Sequence, residues 1–401
     1  MYRYVVTGET NRLLTRLALL RRQLDSRGVV PRRWLARLRR EIEAEAVAAS
    51  VAMAGVPVTV EQVRHVLAGQ VPPTISVSVA AATTGYRDAM TFVSQCAEAP
   101  GFVWRADLFG ALHARISRSA RSGGASEYRH LKVVVGSRGR VTGIAPEPER
   151  IPELLDDLAA WLGDTENTSV SIPVRAALAH IRLAGIRPFA DGNGAVAHLV
   201  ASLVMLRGRY RQPEFTGLEA WWGAHRDEYA TAFDCLRGRW RPTADVTRFV
   251  DRYVRALVAH VEARSRRNAI EFAIWVALED TATEDLDGAP RLTEALFDAF
   301  FGRSVTNRHY RSLVEVGAAT AANDLRRLEA SGLLSSLGAG STTSYVGTAR
   351  LLAAVATAAG MASPDVAAPL EDQRSAVIAG VAGSLRLGPG LSAGELGRPI
   401  R

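Results

Sequence analysis

A run of four residues, Asp191, Gly192, Asn193 and Gly194, carries the strongest signal for chemistry in this sequence. Two glycines within three positions permit positive φ angles and leave the backbone bare, so a ligand can approach it closely. Backbone N–H groups converge at such a turn, and a following helix adds partial positive charge at its N-terminus. The run therefore predicts an anion-binding loop, with Asp191 able to hold a divalent cation beside a bound phosphate. A tight turn between two helices is the alternative interpretation.

Two apolar segments flank this run and must position it. Residues 174–184 and 195–206 have the spacing of buried helices, so the run joins two helices of the core. Upstream, residues 131–135 and 141–144 are β-prone segments on either side of a Gly-containing turn, which predicts a β-hairpin. The sequence thus predicts a mainly α fold with one small hairpin.

The motif and its surroundings resemble the Fic family. Residues 186–198, IRPFADGNGAVAH, are similar to the family signature HPFx(D/E)GNGRxxR, and residues 175–180, RAALAH, precede it at the family's spacing. The hairpin at 131–144 resembles the family's flap, which docks a target segment by strand addition. The resemblance covers roughly residues 40–260 and implies a Fic-type helical bundle with a β-hairpin flap.

Three positions of the signature depart from the family. Fic enzymes typically transfer AMP from ATP to a protein hydroxyl, and Arg187 replaces the histidine that deprotonates this hydroxyl. A guanidinium stays protonated at physiological pH and cannot accept that proton. Ala195 and His198 replace the two motif arginines that contact phosphates. By resemblance, Asp191 matches the magnesium ligand, and residues 192–194 match the anion hole.

The changed residues leave several roles open. Arg187 can bind a carboxylate or phosphate with two parallel hydrogen bonds, which would suit a substrate other than ATP. His198 faces the pocket in the family, and as a neutral imidazole it can serve as a base or ligand. A passive, space-filling His198 is the alternative.

An inhibitory segment of the family also has a degenerate counterpart. Residues 45–59 resemble the pattern (S/T)xxxE(G/N), with Ser50 and Gly55 in place but Ala54 at the glutamate position. In the family this glutamate pairs with the second motif arginine, so both ends of the inhibitory ion pair are missing. The alternative explanation is that the changes at Ala54 and His198 arose independently, by drift in an inactive site.

The C-terminal part resembles the winged helix that is often fused to Fic domains. Residues 320–334 are similar to its recognition helix, and the Gly- and Ser/Thr-rich turn before Tyr345 would form the wing. If DNA binds through residues 320–345, Arg326 and Arg327 would face phosphates; protein contacts are the alternative. We expect an N-terminal helical region at 1–105, a Fic core at 106–265, a winged helix-turn-helix domain at 266–350 and a disordered tail at 351–401.

Bulk composition limits the class of protein. The chain has 401 residues and a formal net charge of +8, which fits either an arginine-rich genome or an anionic partner. No apolar run reaches the roughly 20 residues that a membrane-spanning helix needs. Cys96 and Cys235 lack metal-ligand spacing, as expected in a reducing cytoplasm.

The sequence leaves three functions open. The favoured hypothesis is a Fic fold redirected to chemistry on a small anionic or phosphorylated substrate. The others are a nucleotidyl or phosphoryl transferase that uses another base, and a catalytically silent scaffold that binds DNA or a target protein through the flap at 131–144. The resemblance implies Mg²⁺ and ATP or another nucleotide as candidate cofactors, and we expect a homodimer.

Overall fold

The computed structural model describes residues 2–28, 30–117, 127–132, 134–137, 140–165, 169–286, 289–340 and 343–385. The chain divides into two compact units, with the boundary between Glu262 and Ala263. That boundary falls within one continuous helix, α11 (Thr247–Leu286).

The first unit is mainly helical. Its helices before α11 are α1 (Gly8–Asp25), α2 (Arg32–Met53), α3 (Val60–Leu67), α4 (Val77–Glu98), α5 (Asp107–Ser117), α6 (Ile151–Thr165), α7 (Ile172–Ile186), α8 (Asn193–Arg207), α9 (Leu218–Ala224) and α10 (Arg226–Ala232). Its strands are β1 (Val134–Ser137), β2 (Arg140–Ile144) and β3 (Gly238–Arg239).

Helices α7 and α8 form the centre of this unit. Small and aliphatic residues make up most of α7, and almost all of its residues are buried. At the far end of α8 a Cβ on Gly208 would lie 2.3 Å from Cγ2 of Ile172, so this glycine permits the close approach of the two helices. The close packing of the two helices therefore fixes both ends of the loop that joins them.

The hairpin forms, but its first strand is Val134–Ser137 instead of the predicted 131–135, so Gly136 and Ser137 belong to the strand and not to the turn. Strands β1 and β2 pair antiparallel, with a register shift between Val135 and Gly136, and β3 adds in parallel beside β2. The Trp240 N–H donates to the Ile144 carbonyl at 3.0 Å and extends this pairing. The predicted mainly α fold with a small β-hairpin is confirmed.

The second unit contains shorter elements. They are α12 (Leu292–Phe300), β4 (Val305–Thr306), α13 (Asn307–Val314), α14 (Ala318–Ala330), β5 (Leu334–Leu337), β6 (Ser344–Gly347), α15 (Ala349–Ala358) and α16 (Leu370–Ser384). The strands form an antiparallel sheet in the order β4-β6-β5. A buried Asp324 accepts hydrogen bonds from Arg291 and from the Tyr310 hydroxyl, which ties α13 and α14 together.

The two arginines of α14 differ in their surroundings. Arg326 is exposed, whereas the Arg327 guanidinium donates to the Leu286 carbonyl at 2.6 Å. Arg327 is thus engaged within its own unit, and only Arg326 presents its charge to solvent as the sequence analysis expected.

The expectation of a disordered tail from residue 351 is wrong for the part that the structure describes. Helices α15 and α16 occupy much of it, and residues 386–401 lie outside the described residues. Leu351, Leu352 and Val355 on α15, and Val377 and Ile378 on α16, are buried. Alanine is the best helix former, so a few large residues at helical spacing suffice to dock these segments.

None of the helices within the described residues is long and apolar enough to cross a membrane.

Candidate functional site

The loop from Arg187 to Gly192 connects α7 to α8, and one side chain fixes its shape. The Asn193 carboxamide is buried; its Oδ1 accepts from the Phe189 N–H at 3.0 Å, and its Nδ2 donates to the Phe189 carbonyl at 2.8 Å. Phe189 is fully buried and anchors the loop in the core. The paired hydrogen bonds make Asn193 a structural brace for the turn.

The N-terminus of α8 is open toward solvent. Gly192 precedes the helix with φ 63°, and no side chain caps the helix. Within the described residues, the N–H groups of Gly194 and Ala195 have no hydrogen-bond acceptor. Gly194 is exposed, so bare N–H groups and the positive end of the helix dipole meet at an accessible surface. This is the geometry that binds anions.

The two glycines of this turn should respond differently to alanine. At Gly192 the left-handed backbone costs an L-residue roughly 1–2 kcal/mol, and a Cβ would lie 3.2 Å from Cδ2 of His113. At Gly194 a Cβ meets nothing nearer than the Tyr229 hydroxyl at 4.0 Å. In urea unfolding, we expect Gly192→Ala to lose about 1–2 kcal/mol, and the matched Gly194→Ala control to lose nothing. Equal stability of the two variants would contradict this loop geometry.

Arg187 ends α7 in a conformation that is unusual for a side-chain-bearing residue. Its φ of 49° and ψ of 62° lie in the left-handed region, and its N–H donates to the Leu183 carbonyl at 3.0 Å. Its guanidinium is half-buried, and Nε has no hydrogen-bond partner within the described residues. Burial lowers the pKa of Arg187, and no carboxylate pairs with it in the described part of the chain. Such a desolvated, unpaired cation favours a bound anion.

A second arginine, which the sequence analysis missed, holds this loop in place. Arg129 is 5% exposed, and its guanidinium donates to the carbonyls of Arg187 at 2.7 Å, Leu131 at 2.9 Å and Pro146 at 2.6 Å. The backbone N–H of Arg129 donates to the Pro188 carbonyl at 2.9 Å. Arg129 therefore ties the end of α7 to the segments on either side of the hairpin. No spacing pattern singles it out among so many arginines.

Asp191 lies exposed beside a histidine that the sequence analysis also missed. Its Oδ1 is 3.4 Å from Nε2 of His113, which is also 3.2 Å from the Ser117 hydroxyl. The His113 ring stacks on Phe189 with centroids 3.9 Å apart. Burial lowers the pKa of His113, so its imidazole is neutral at pH 7. A neutral imidazole next to the loop is able to accept a proton.

His198 lies in a buried aromatic cluster. It is 4% exposed, its ring packs edge-on against His180 at 4.5 Å, and it stacks on Tyr229 at 5.4 Å. Nε2 of His198 has no hydrogen-bond partner within the described residues, and His180 Nε2 lies 3.0 Å from the Tyr229 hydroxyl. Burial lowers the pKa of His198 to about 3. The imidazole is therefore neutral at pH 7 and shielded from solvent.

This burial should make the protein sensitive to acid. Below pH 6.5 the unfolded state protonates His198, while the folded state keeps it neutral down to about pH 3. The unfolded state then binds more protons, so the free energy of unfolding falls as the pH falls. Between pH 6.5 and 5.5 we expect wild type to lose about 1 kcal/mol more than His198→Gln. Urea unfolding at both pH values measures this; parallel losses would contradict a buried neutral imidazole.

The degenerate inhibitory segment lies at the end of α2. Ser50 is buried within the helix. Ala54 is the exposed residue that ends the helix, and Gly55 follows with φ 90°. An alanine at this position offers no carboxylate to any partner, in agreement with the missing ion pair.

The described residues contain no group of three or more His, Cys, Asp or Glu side chains placed to hold a metal ion. Asp191 alone offers an exposed carboxylate at the loop. Mg²⁺ commonly binds through one or two carboxylates together with substrate phosphates, so a single Asp191 fits a cation that arrives with a phosphorylated ligand.

Comparison with known proteins decides the family of this site. Residues 104–205 match the model of the Fic/DOC family, and this segment includes the hairpin, α7, the loop and most of α8. The chain contains a Fic domain. The family to which the sequence motif pointed is thereby confirmed.

Sequence relatives of the Fic domain are named as adenylyltransferases. Protein adenylyltransferase fic-1 of Caenorhabditis elegans is 31% identical over 156 residues, which covers 39% of this chain and 27% of the relative. Protein adenylyltransferase Fic of Drosophila melanogaster is 34% identical over 100 residues, 25% of this chain and 19% of the relative. The similarity thus spans about a quarter of the length of these relatives or less.

Solved structures share the fold over a longer stretch. A Fic family protein from Desulfovibrio desulfuricans matches with a TM-score of 0.55 at 21% identity, covering 87% of this chain and 98% of that one. C. elegans Fic-1 matches with a TM-score of 0.50 at 23% identity, covering 64% of this chain and 71% of the other. These identities establish a common fold.

Proposed function

We propose that this Fic domain binds a small anionic or phosphorylated substrate and catalyses a reaction on it that differs from ordinary protein AMP transfer. The observation that carries the proposal is Arg187. Its guanidinium is half-buried, lacks a carboxylate partner within the described residues, and stands at the start of the loop that ends in the open helix N-terminus. Removing a cation from water without a partner destabilises a fold, and a bound anion offsets that cost.

The residues of the loop have complementary roles in this proposal. The N–H groups of Gly194 and Ala195 bind one oxyanion, and Arg187 binds a second oxygen or a second anionic group with its two-pronged guanidinium. Arg129 holds the Arg187 backbone in position. When the substrate carries phosphates, Asp191 would hold Mg²⁺, which would supply charge neutralisation at the phosphate oxygens.

A second candidate function is nucleotidyl transfer with a different base, as in the relatives named protein adenylyltransferases. His113 favours it, because its neutral imidazole lies 3.4 Å from Asp191 at the edge of the loop. In this alternative His113 accepts the hydroxyl proton in place of the family histidine, and the hairpin at 131–144 docks a target protein. The loss of both motif arginines, at Ala195 and His198, weighs against it.

Ligand titration tests the proposal. Phosphate, pyrophosphate, AMP and dicarboxylates are titrated into the protein, with saturable thermal stabilisation expected for at least one of them. A hundredfold excess over Kd stabilises a folded protein by about 2.7 kcal/mol. Gly194→Val should weaken this binding at least tenfold, because its side chain covers the open N–H groups. A Cβ at this exposed position meets nothing nearer than the Tyr229 hydroxyl at 4.0 Å, so we expect the variant to fold.

Two outcomes would count against the proposal. The absence of stabilisation by every anion would remove the substrate site and leave a silent scaffold. Identical binding in Gly194→Val and wild type would place the anion elsewhere on this basic protein.

A further inference from the structure

A tyrosine hydroxyl borders the open end of α8. Tyr229 lies on α10, and its hydroxyl is 4.0 Å from the point where a Cβ on Gly194 would lie. Among the described residues, no other atom outside α8 and the turn before it comes within 4 Å of that point. Tyr229 is partly exposed and Gly194 is exposed. An anion held by the N–H groups of Gly194 and Ala195 would therefore lie next to this hydroxyl.

One hydrogen bond orients the hydroxyl. The Tyr229 oxygen lies 3.0 Å from Nε2 of His180, its one hydrogen-bond partner within the described residues. The Tyr229 ring is held by aromatic contacts, since it stacks on His198 at 5.4 Å and packs edge-on against Phe233 at 5.1 Å. Burial raises the pKa of Tyr229, so its phenol keeps its proton at pH 7. The oxygen is thus fixed in position, and His180 decides where the proton points.

The surroundings of His180 favour one tautomer. His180 is fully buried, and burial lowers its pKa well below the usual value, so one ring nitrogen carries a hydrogen at pH 7 and the other does not. Nδ1 has no hydrogen-bond partner in the described part of the chain. Buried N–H groups without an acceptor are rarer in proteins than acceptors without a donor. The hydrogen therefore belongs on Nε2, which donates it to the Tyr229 oxygen and leaves the Tyr229 proton for another acceptor.

We infer that Tyr229 is a third donor of the anion site, and that the group bound there is a tetrahedral phosphoryl group and not a carboxylate. This inference rests on the proposed anion site at the loop. The N–H groups of Gly194 and Ala195 hold one oxygen; Arg187 holds a second, and Tyr229 a third. A phosphoryl group presents three oxygens in three directions, whereas a carboxylate has two oxygens in one plane and leaves one donor unused. His180 is a positioning residue, because it acts on the ligand through Tyr229.

Calorimetry with matched probes tests this inference. Malonate, sulfoacetate and phosphonoacetate share one skeleton, and the last two carry a tetrahedral sulfonate or phosphonate in place of one carboxylate. Sulfoacetate has the same total charge as malonate at about pH 7.5, so it separates shape from charge. We expect wild type to bind phosphonoacetate about tenfold or more tightly than malonate, as one added hydrogen bond to a charged group provides. Sulfoacetate should also bind more tightly than malonate.

Tyr229→Phe removes the hydroxyl and keeps the ring that stacks on His198. It should weaken phosphonoacetate binding about tenfold or more and leave malonate binding near that of wild type. Tyr253→Phe is the matched control, because Tyr253 packs against His180 from the same aromatic cluster, with centroids 5.8 Å apart. This control should bind both probes like wild type. A purely structural role of Tyr229 would weaken the two probes equally.

Nitrogen-15 NMR of histidine-labelled protein measures the tautomer of His180 without any ligand, with the signals assigned by their loss in His180→Gln. We expect the hydrogen on Nε2 and a bare Nδ1. The opposite tautomer would overturn the inference, since Tyr229 would then donate its proton to His180. If Tyr229→Phe does not fold, the tautomer and the probe preference of wild type decide the matter.

Two calorimetric results would also overturn the inference while leaving the anion site in place. One is equal affinity of Tyr229→Phe and wild type for phosphonoacetate, and the other is malonate binding to wild type as tightly as phosphonoacetate. Failure of wild type to bind any of the three probes would overturn the anion site itself, and this inference with it.

Discussion

The purified protein is expected to transfer no AMP to itself or to a target protein when it is mixed with labelled ATP and Mg²⁺. Arg187 stands where the family has the histidine that accepts the hydroxyl proton, and a guanidinium cannot accept it. Loss of a positioned base alone slows such a reaction by about 10² to 10⁴. Ala195 and His198 further remove two charged phosphate contacts. Label on protein after gel electrophoresis measures the transfer.

A single reversion should not restore this activity. Arg187→His supplies an imidazole, but Ala195 and His198 still leave the triphosphate poorly held, so we expect label to stay near background. Asp191→Ala is the matched control for the wild-type assay. If wild type is strongly labelled and Asp191→Ala is not, the proposal is contradicted and nucleotidyl transfer is favoured. His113 would then be the first residue to substitute.

The loop could be predicted from the sequence because the interactions that shape it are local. Gly192 permits a left-handed backbone that other residues resist, and Asn193 bonds to the Phe189 backbone only four residues away. Helices α7 and α8 were predictable from their apolar spacing. In these cases the physical cause lies within a few residues of sequence.

The supporting residues escaped prediction because their partners are distant in sequence. Arg129 bonds to the carbonyl of Arg187, 58 residues later, and His113 lies beside Asp191, 78 residues later. Likewise, the sequence alone did not predict that Arg327 is engaged by the Leu286 carbonyl. Only the fold brings such pairs together.

Substitution of Arg187 should sharply weaken anion binding at the loop. If its two-pronged geometry holds the ligand, Arg187→Lys loses nearly as much affinity as Arg187→Ala, since a lysine offers a point charge without the planar fork. Loss of a hydrogen bond to a charged group costs roughly 1.5–3 kcal/mol, or about 10- to 150-fold in Kd. Both variants should fold, because the guanidinium is only half-buried and its Nε has no partner to lose within the described residues.

Calorimetric titration of one anion into wild type, Arg187→Lys and Arg187→Ala is the most direct test of the central claim, that Arg187 and the open end of α8 form a substrate site. The anion is the one among phosphate, pyrophosphate, AMP and the dicarboxylates that stabilises wild type most. The account predicts saturable binding to wild type and similarly weakened binding to both variants. Equal affinity of all three proteins would contradict the claim and leave a silent Fic scaffold as the better description.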